Sequence, residues 1–165
     1  GDLHWGPRAA TLAASLLSLV FVYLAVRQMA RSDRAGLIAA LLAAAAPAHV
    51  LVSGTPLAES FFLASFAGAC AAAIRFAGDR RPRWALAASV AFAAGNLLRY
   101  ESWVLSAVFG VWLIAGVVRR RQALAALDLG LLAVAIVLPA IPAALWLLEI
   151  RSVYGSFGYA PERHG

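Results

Sequence analysis

The chain consists of six apolar stretches separated by short polar segments. The stretches cover Ala9–Val26, Ala35–Val52, Leu57–Ile74, Trp84–Leu98, Ser102–Val118 and Ala123–Leu148. At 1.5 Å per residue, most of them approach the hydrocarbon thickness of a bilayer, about 30 Å. They lack the strict alternation of a barrel strand, and a helix pairs its backbone groups internally in lipid. The pattern therefore predicts an all-α fold, a polytopic integral-membrane bundle of about six transmembrane helices that forms one domain over residues 1–165.

Small residues and prolines predict how these helices pack and bend. The third stretch carries a small residue at every fourth position, at Ser60, Ala64, Gly68 and Ala72. Such a stripe lets a second helix approach closely, and packing within the bundle is favoured over dimerisation. Prolines interrupt the second and sixth stretches, at Pro47, Pro139 and Pro142. Because proline removes a backbone donor, we expect bends there.

The composition supports a membrane protein and excludes a nucleic-acid binder. Hydrophobic residues make up 63% of the chain and charged residues 13%, whereas soluble domains have about 45–50% and about 25%. The net charge is +6, but every basic residue is an arginine and the arginines occur in short clusters between apolar stretches. This is the spacing of membrane loops rather than of a basic groove.

The arginines are distributed unequally between the two sides of the predicted bundle. Ten of the fourteen follow the first, third and fifth stretches, at Arg27, Arg31, Arg34, Arg75, Arg80, Arg81, Arg83, Arg119, Arg120 and Arg121. The positive-inside rule places these segments in the cytoplasm. Both ends of the chain and the loops Ser53–Pro56 and Arg99–Glu101 then face outward, in an inner (plasma) membrane. Since the chain begins at Gly1 without a methionine, we expect it to be a segment of a longer protein.

Polar residues collect at the predicted outer boundary, at His49, Glu59, Asn96, Arg99, Tyr100 and Glu101. Antiparallel packing of short-looped helices would bring them to one level, as a cleft suited to an amphiphile with a phosphate-bearing head. Each residue also has a purely structural explanation. Arg99 and Glu101 could form an interfacial ion pair, Glu59 could stabilise a helix N-terminus, and His49 and Tyr100 could be interfacial residues. The predicted midplane is nearly free of ionisable groups, with Asp128 as the exception near the cytoplasmic face, where an arginine partner would explain it.

Four segments resemble the GT-C glycosyltransferases, in particular their bacterial family 39 branch. The segment 1–10 and the segment 35–50 resemble the helices that follow the first outer loop of these enzymes. The segment 53–60, SGTPLAES, is similar to the branch's Ser-x-x-x-Leu-Ser-Glu-Pro turn, and the segment 98–103, LRYESW, is similar to its Thr-Arg-Tyr-Glu-Gly-Trp. Ser60 replaces the proline and Ser102 the glycine of these two motifs.

The resemblance implies an inverting, mannosyltransferase-like membrane enzyme that transfers a sugar from a polyprenyl-phosphate donor to an acceptor on the outer face. In such enzymes an acidic residue of the first outer loop is the general base. That loop would precede Gly1, so we expect no catalytic residue in this chain and no activity from the chain alone. The residues expected to bind substrate are Arg99, Tyr100, Glu101, Glu59, His49 and Asn96.

Two other classes of function are compatible with the sequence. A segment of a transporter or flippase for amphiphilic substrates would fit the polar cleft, but ionisable midplane residues would then be expected. A non-catalytic membrane scaffold subunit is the third possibility. No cofactor is firmly indicated, and the participation of a divalent metal stays open. The expected partners are the lipid-linked sugar donor, membrane lipids and the rest of the same chain, but not nucleic acid.

Overall fold

The structure, a computed structural model, describes residues 5–54, 58–118 and 126–154, and every secondary-structure element in these ranges is a helix. The helices are α1 (Trp5–Ala30), α2 (Asp33–Ala45), α3 (Pro47–Gly54), α4 (Glu59–Asp79), α5 (Pro82–Leu98), α6 (Glu101–Val118), α7 (Ala126–Val137) and α8 (Ala140–Tyr154). The predicted all-α fold is confirmed.

Three helical segments are long and apolar enough to cross a membrane. They are Trp5–Ala30, Glu59–Asp79 and Asp128–Val153. The pair α2 and α3 adds a fourth if it is counted as one broken span. The remaining apolar helices, α5 and α6, are 17 and 18 residues long. The helices thus describe a polytopic membrane protein, and the count of six spans remains a prediction.

Proline positions coincide with the breaks in the second and sixth apolar stretches. The second stretch is divided at Ala46, and the axes of α2 and α3 meet there at 65°. Pro47, the first residue of α3, cannot donate a backbone hydrogen bond, so the helix cannot continue straight through it. The sixth stretch is interrupted by a turn at Leu138 and Pro139. The predicted bend of the second stretch is therefore present, and the sixth stretch is interrupted at the predicted proline without forming a strongly bent pair.

Helix α4 is packed between α1 and α5 at the centre of the described bundle. Ser60, Ala64 and Ala72 of the predicted stripe are buried, and Phe21 of α1 lies against Gly68. The hydroxyl groups of Ser15 and Ser60 are 2.9 Å apart and join α1 to α4. The stripe thus packs within the bundle, as predicted. The hydrophobic core continues from Ala69 and Ala72 of α4 to α5, α6 and α7, around Phe92, Phe109 and Leu132.

The antiparallel packing of α4 and α5 creates two polar ends. At one end Glu59 opens α4 and Arg99 follows α5, and at the other Arg75 lies close to Trp84. Glu59 and Arg75 are 16 positions apart in the sequence, which separates these levels by about 24 Å along the helix. The segments Ser53–Pro56 and Arg99–Glu101 were predicted to share a side. Their described residues lie at the same end, although residues 55–57 are outside the described ranges.

Candidate functional site

Arg99 is positioned by the tight connection between α5 and α6. Helix α5 ends at Leu98, and the amide of Arg99 donates a hydrogen bond to the carbonyl of Gly95 at 2.9 Å. Helix α6 begins only two residues later, at Glu101. This short connection holds the side chains of Arg99 and Glu101 next to each other. Arg99 therefore has a defined position at a helix end.

The guanidinium of Arg99 contacts three side chains. It donates to both carboxylate oxygens of Glu101, from Nη2 at 3.1 Å and from Nε at 3.3 Å. Its Nη1 lies 3.6 Å from Oε1 of Glu59, an ion pair too long for a hydrogen bond. Its central carbon lies 5.9 Å from the centre of the Phe62 ring. Among the described residues no group accepts a hydrogen bond from Nη1, so this end of the guanidinium can still bind an anion.

The two carboxylates give the cluster an excess of negative charge over the single arginine. The carboxyl group of Glu101, which precedes the apolar stretch of α6, has a pKa below its ordinary value. The main cause is a hydrogen bond from its own backbone amide, and the neighbouring Arg99 adds to the effect. Glu101, with two hydrogen bonds from the guanidinium, is the closer partner of Arg99. Glu59 is the looser partner, which an anionic ligand could replace at Nη1.

A long apolar groove leads away from this cluster. We call it the α3 groove: it lies between α1, the α2–α3 pair and α4, and has a volume of about 780 Å³. His49, Glu59 and Arg99 line one end, and apolar side chains such as Phe66 and Ile74 line the rest. From Glu59 to Ile74 the groove follows α4 for about 22 Å. It therefore has a charged head and an apolar body.

The structure brings together only some of the residues that the sequence predicted for the cleft. His49, Glu59 and Arg99 share the α3 groove, and Glu101 joins them through Arg99. Tyr100 is 70% exposed and does not line that groove. Its place in the site rests on its position between Arg99 and Glu101 alone.

Asn96 lies inside the bundle rather than in the cleft. It is 6% exposed, and its amide nitrogen donates to the carbonyl of Pro139 at 2.7 Å and to the hydroxyl of Ser106 at 3.1 Å. The indole nitrogen of Trp103 donates to the backbone carbonyl of Asn96 at 3.2 Å. Asn96 therefore connects α5 to α6 and to the turn before α8. These contacts support the architecture around the site.

The sequence analysis missed Phe62, whose ring lies under the Arg99 guanidinium. Phe62 follows Glu59 by three residues, which places both on one face of α4. That spacing could have identified it, because an arginine at the membrane boundary commonly stacks on an aromatic ring. Phe62 also lines the α3 groove.

The two serines that depart from the family 39 motifs are both buried in helix contacts. The hydroxyl of Ser60 bonds to Ser15 and also donates to the carbonyl of Val52 at 3.2 Å. Ser102 packs so closely against Gly95 that a Cβ atom at Gly95 would lie 2.8 Å from its hydroxyl. The departures thus affect helix packing beside the site. Neither removes a charged residue of the cluster.

The sequence analysis left open a divalent metal and expected an arginine partner for Asp128. Within the described ranges, no group of three or more His, Cys, Asp or Glu side chains is arranged to hold a metal ion. Asp128 lies in the first turn of α7 and is half-buried. The arginines that precede it in sequence, Arg119, Arg120 and Arg121, lie outside the described residues.

Comparison with known proteins identifies the family. The family profile described as "Dolichyl-phosphate-mannose-protein mannosyltransferase" matches residues 1–146, which is most of the chain. Searches of curated proteins and of solved structures give no match. The match agrees with the GT-C resemblance of the motifs that contain Glu59 and Arg99. This chain belongs to the dolichyl-phosphate-mannose-protein mannosyltransferase family, and it is a GT-C type, mannosyltransferase-like membrane glycosyltransferase.

Proposed function

We propose that this chain forms the part of the glycosyltransferase that holds a polyprenyl-phosphate sugar donor, with its head at Arg99 and its tail in the α3 groove. The observation that carries the proposal is the position of Arg99 at the charged end of an otherwise apolar groove. A polyprenyl-phosphate sugar has the same distribution, with an anionic phosphate at one end of a long hydrocarbon chain. The family match supports a donor of this kind.

The phosphate is proposed to bind at Nη1 of Arg99, where it replaces Glu59. A guanidinium presents a planar set of donors that fits two phosphate oxygens. Glu101 keeps the guanidinium oriented by accepting from Nε and Nη2. Glu59, released from the arginine, and His49, which lines the same groove, can then bind sugar hydroxyls. Transfer to the acceptor takes place on the outer face, with inversion at the sugar.

The groove itself provides a direct test, because Cys70 is the chain's only cysteine and lines the α3 groove. In the complete enzyme, with any other cysteines replaced, a membrane-soluble maleimide should react with Cys70. We expect polyprenyl phosphate to slow this reaction, since its tail would cover the thiol. A polyprenyl alcohol of equal length is the control and should protect less, because it lacks the phosphate for Arg99.

Two results would contradict the proposal. The first is equal protection by the phosphate and the alcohol, which would mean that the head group is not recognised. The second is unchanged labelling at saturating polyprenyl phosphate with active enzyme, which would place the tail elsewhere. As a matched control, a cysteine at Val111, exposed on α6 and away from the groove, should label equally with and without the ligand.

A further inference from the structure

The opposite end of the bundle carries a second combination of an apolar groove and arginines. We call this the α5 groove: it lies between α1, α4 and α5 and has a volume of about 880 Å³. On α4 it extends from Phe61 to Arg75, about 21 Å at the helical rise. Apart from Ser65, its polar lining residues, Gln28, Arg75 and Trp84, are at the arginine-rich end. It is separate from the α3 groove, which lies on the other face of α4.

A polar pocket adjoins the α5 groove at that end. The pocket has a volume of about 380 Å³ and shares Leu24, Gln28 and Arg75 with the groove. Its other lining residues are Arg27, Arg31, Ser32 and Asp33. An apolar chain in the groove would therefore place its polar head among these side chains.

The arginines around this pocket outnumber the carboxylates that pair with them. Arg27 pairs with Asp33 at 2.5 Å, and Arg75 pairs with Asp79 at 3.0 Å. No carboxylate within the described ranges forms an ion pair with Arg31, which has a positive φ of 51° at the end of α1. The pocket thus retains positive charge, unlike the cluster around Arg99.

Trp84 and Gln28 add polar atoms to the arginine-rich end of the α5 groove. The guanidinium carbons of Arg75 and Arg83 lie 5.2 Å and 5.4 Å from the centre of the Trp84 ring. The indole nitrogen of Trp84 and the side-chain oxygen of Gln28 are buried and have no hydrogen-bond partner within the described part of the chain. Such unpaired atoms are unfavourable, and a hydroxylated head group in the pocket would offer them hydrogen-bond partners.

We infer that the α5 groove and its polar pocket bind an anionic phospholipid of the phosphatidylglycerol type, in the leaflet that the arginine distribution assigns to the cytoplasm. The phosphate binds between Arg31 and Arg75, and one acyl chain lies along α4. Arginine is suited to phosphate, and tryptophan to the level of the head groups. The length of the groove along α4 exceeds the ~15 Å of hydrocarbon in one leaflet, so an acyl chain can lie along the groove. A purely apolar helix would fill the groove but would leave the excess arginine charge without a counterion.

The test compares lipid binding by the complete enzyme and by two variants of equal charge. Arg31→Gln/Arg75→Gln removes two pocket arginines. Arg34→Gln/Arg81→Gln removes two exposed arginines at the same end that do not line the pocket. The probe is dioleoyl phosphatidylglycerol, with dioleoyl phosphatidylcholine as the zwitterionic control, and bound lipid is counted by native mass spectrometry. We expect the pocket variant to bind phosphatidylglycerol roughly tenfold more weakly or worse, and the control variant to resemble the parent.

Unchanged phosphatidylglycerol binding in the pocket variant would overturn the inference, as would an equal loss in both double variants. A second variant tests the groove without altering charge. Ala87 is exposed and lines the groove. With Cys70 replaced by serine, Ala87→Cys should react with a membrane-soluble maleimide in phosphatidylcholine nanodiscs and more slowly in phosphatidylglycerol. Failure to react in either lipid would show that protein covers the groove, and the lipid site would be wrong.

Discussion

At the scale of single residues, Arg99 and Asn96 illustrate two different uses of polar groups near a membrane boundary. Arg99 ends a helix and keeps Nη1 directed at an open groove. Asn96 lies one turn earlier but is buried, and its amide nitrogen donates to Ser106 and Pro139 inside the bundle. The sequence identified both as polar residues at one level. The sequence could not show whether the Asn96 side chain faces the cleft or the bundle interior, because that depends on which helix packs against each face of α5.

The role of Arg99 can be separated from that of its ion pair. Arg99→Lys loses the planar donor set, and a charge-assisted hydrogen bond contributes about 1.5–3 kcal/mol. We therefore expect the complete enzyme to bind polyprenyl phosphate about tenfold more weakly or worse, since ~1.4 kcal/mol is a factor of ten. Glu101→Gln, which weakens the ion pair but leaves the guanidinium, should retain most of the affinity. Normal affinity in Arg99→Lys, together with equal losses of thermal stability in both variants, would make Arg99 a structural residue only.

Asn96 is expected to act on stability rather than on donor affinity. Asn96→Leu keeps the volume but removes the donor to the Pro139 carbonyl and to Ser106. A buried hydrogen bond contributes about 0.5–1.5 kcal/mol net. Leucine also removes the side-chain oxygen of Asn96, which is buried without a partner in the described part of the chain, and this offsets part of the loss. The melting temperature of the enzyme in detergent should therefore fall modestly. Ser106→Ala is the milder comparison, because Asn96 would still reach Pro139. If Asn96→Leu lowered polyprenyl-phosphate affinity at unchanged stability, Asn96 would belong to the site after all.

At the scale of helices, the sequence predicted the elements well and the spaces between them poorly. The second apolar stretch, Ala35–Val52, corresponds to α2 and α3, and its proline marks the break. The stripe on α4 was predicted because a period of four residues needs no knowledge of the partner helix. The α3 groove was not, because it depends on the 65° angle between α2 and α3. An angle between helices is set by packing and cannot be derived from hydropathy.

Close helix contact can be tested with two glycines in different surroundings. A Cβ atom at Gly36 would lie 2.8 Å from Cδ2 of Tyr23 and 2.9 Å from its backbone oxygen, so Gly36→Ala must push α2 away from α1. Overpacking of this kind costs about 1–3 kcal/mol. A Cβ atom at Gly110 meets no described atom within 4 Å, and Gly110→Ala should be neutral or stabilising by up to about 1 kcal/mol. Thermal unfolding in one detergent would compare the two. Equal stability would refute the close contact of α1 and α2.

At the scale of the whole molecule, the two grooves lie on opposite faces of α4 and have their charged ends at opposite ends of it. The α3 groove has its head at Glu59, and the α5 groove has its head at Arg75. The charged end of the α3 groove has two carboxylates and one guanidinium, whereas the charged end of the α5 groove has more arginines than carboxylates. This polarity follows the arginine distribution in the sequence. If it matches the two sides of the membrane, the proposed donor and the proposed phospholipid enter from different leaflets.

The sidedness of the molecule decides whether this arrangement is compatible with transfer on the outer face. Asp79 follows the third apolar stretch and Gly54 follows the second, so the positive-inside rule places them on opposite sides. With Cys70 replaced by serine, Gly54→Cys and Tyr100→Cys should react with an impermeant maleimide in intact cells. Asp79→Cys and Arg34→Cys should react only in inverted vesicles. All four positions are at helix ends, and a permeant maleimide should label every one. Labelling of Gly54→Cys and Asp79→Cys from the same side would mean that α4 does not cross the membrane, and the two grooves could not then serve different leaflets.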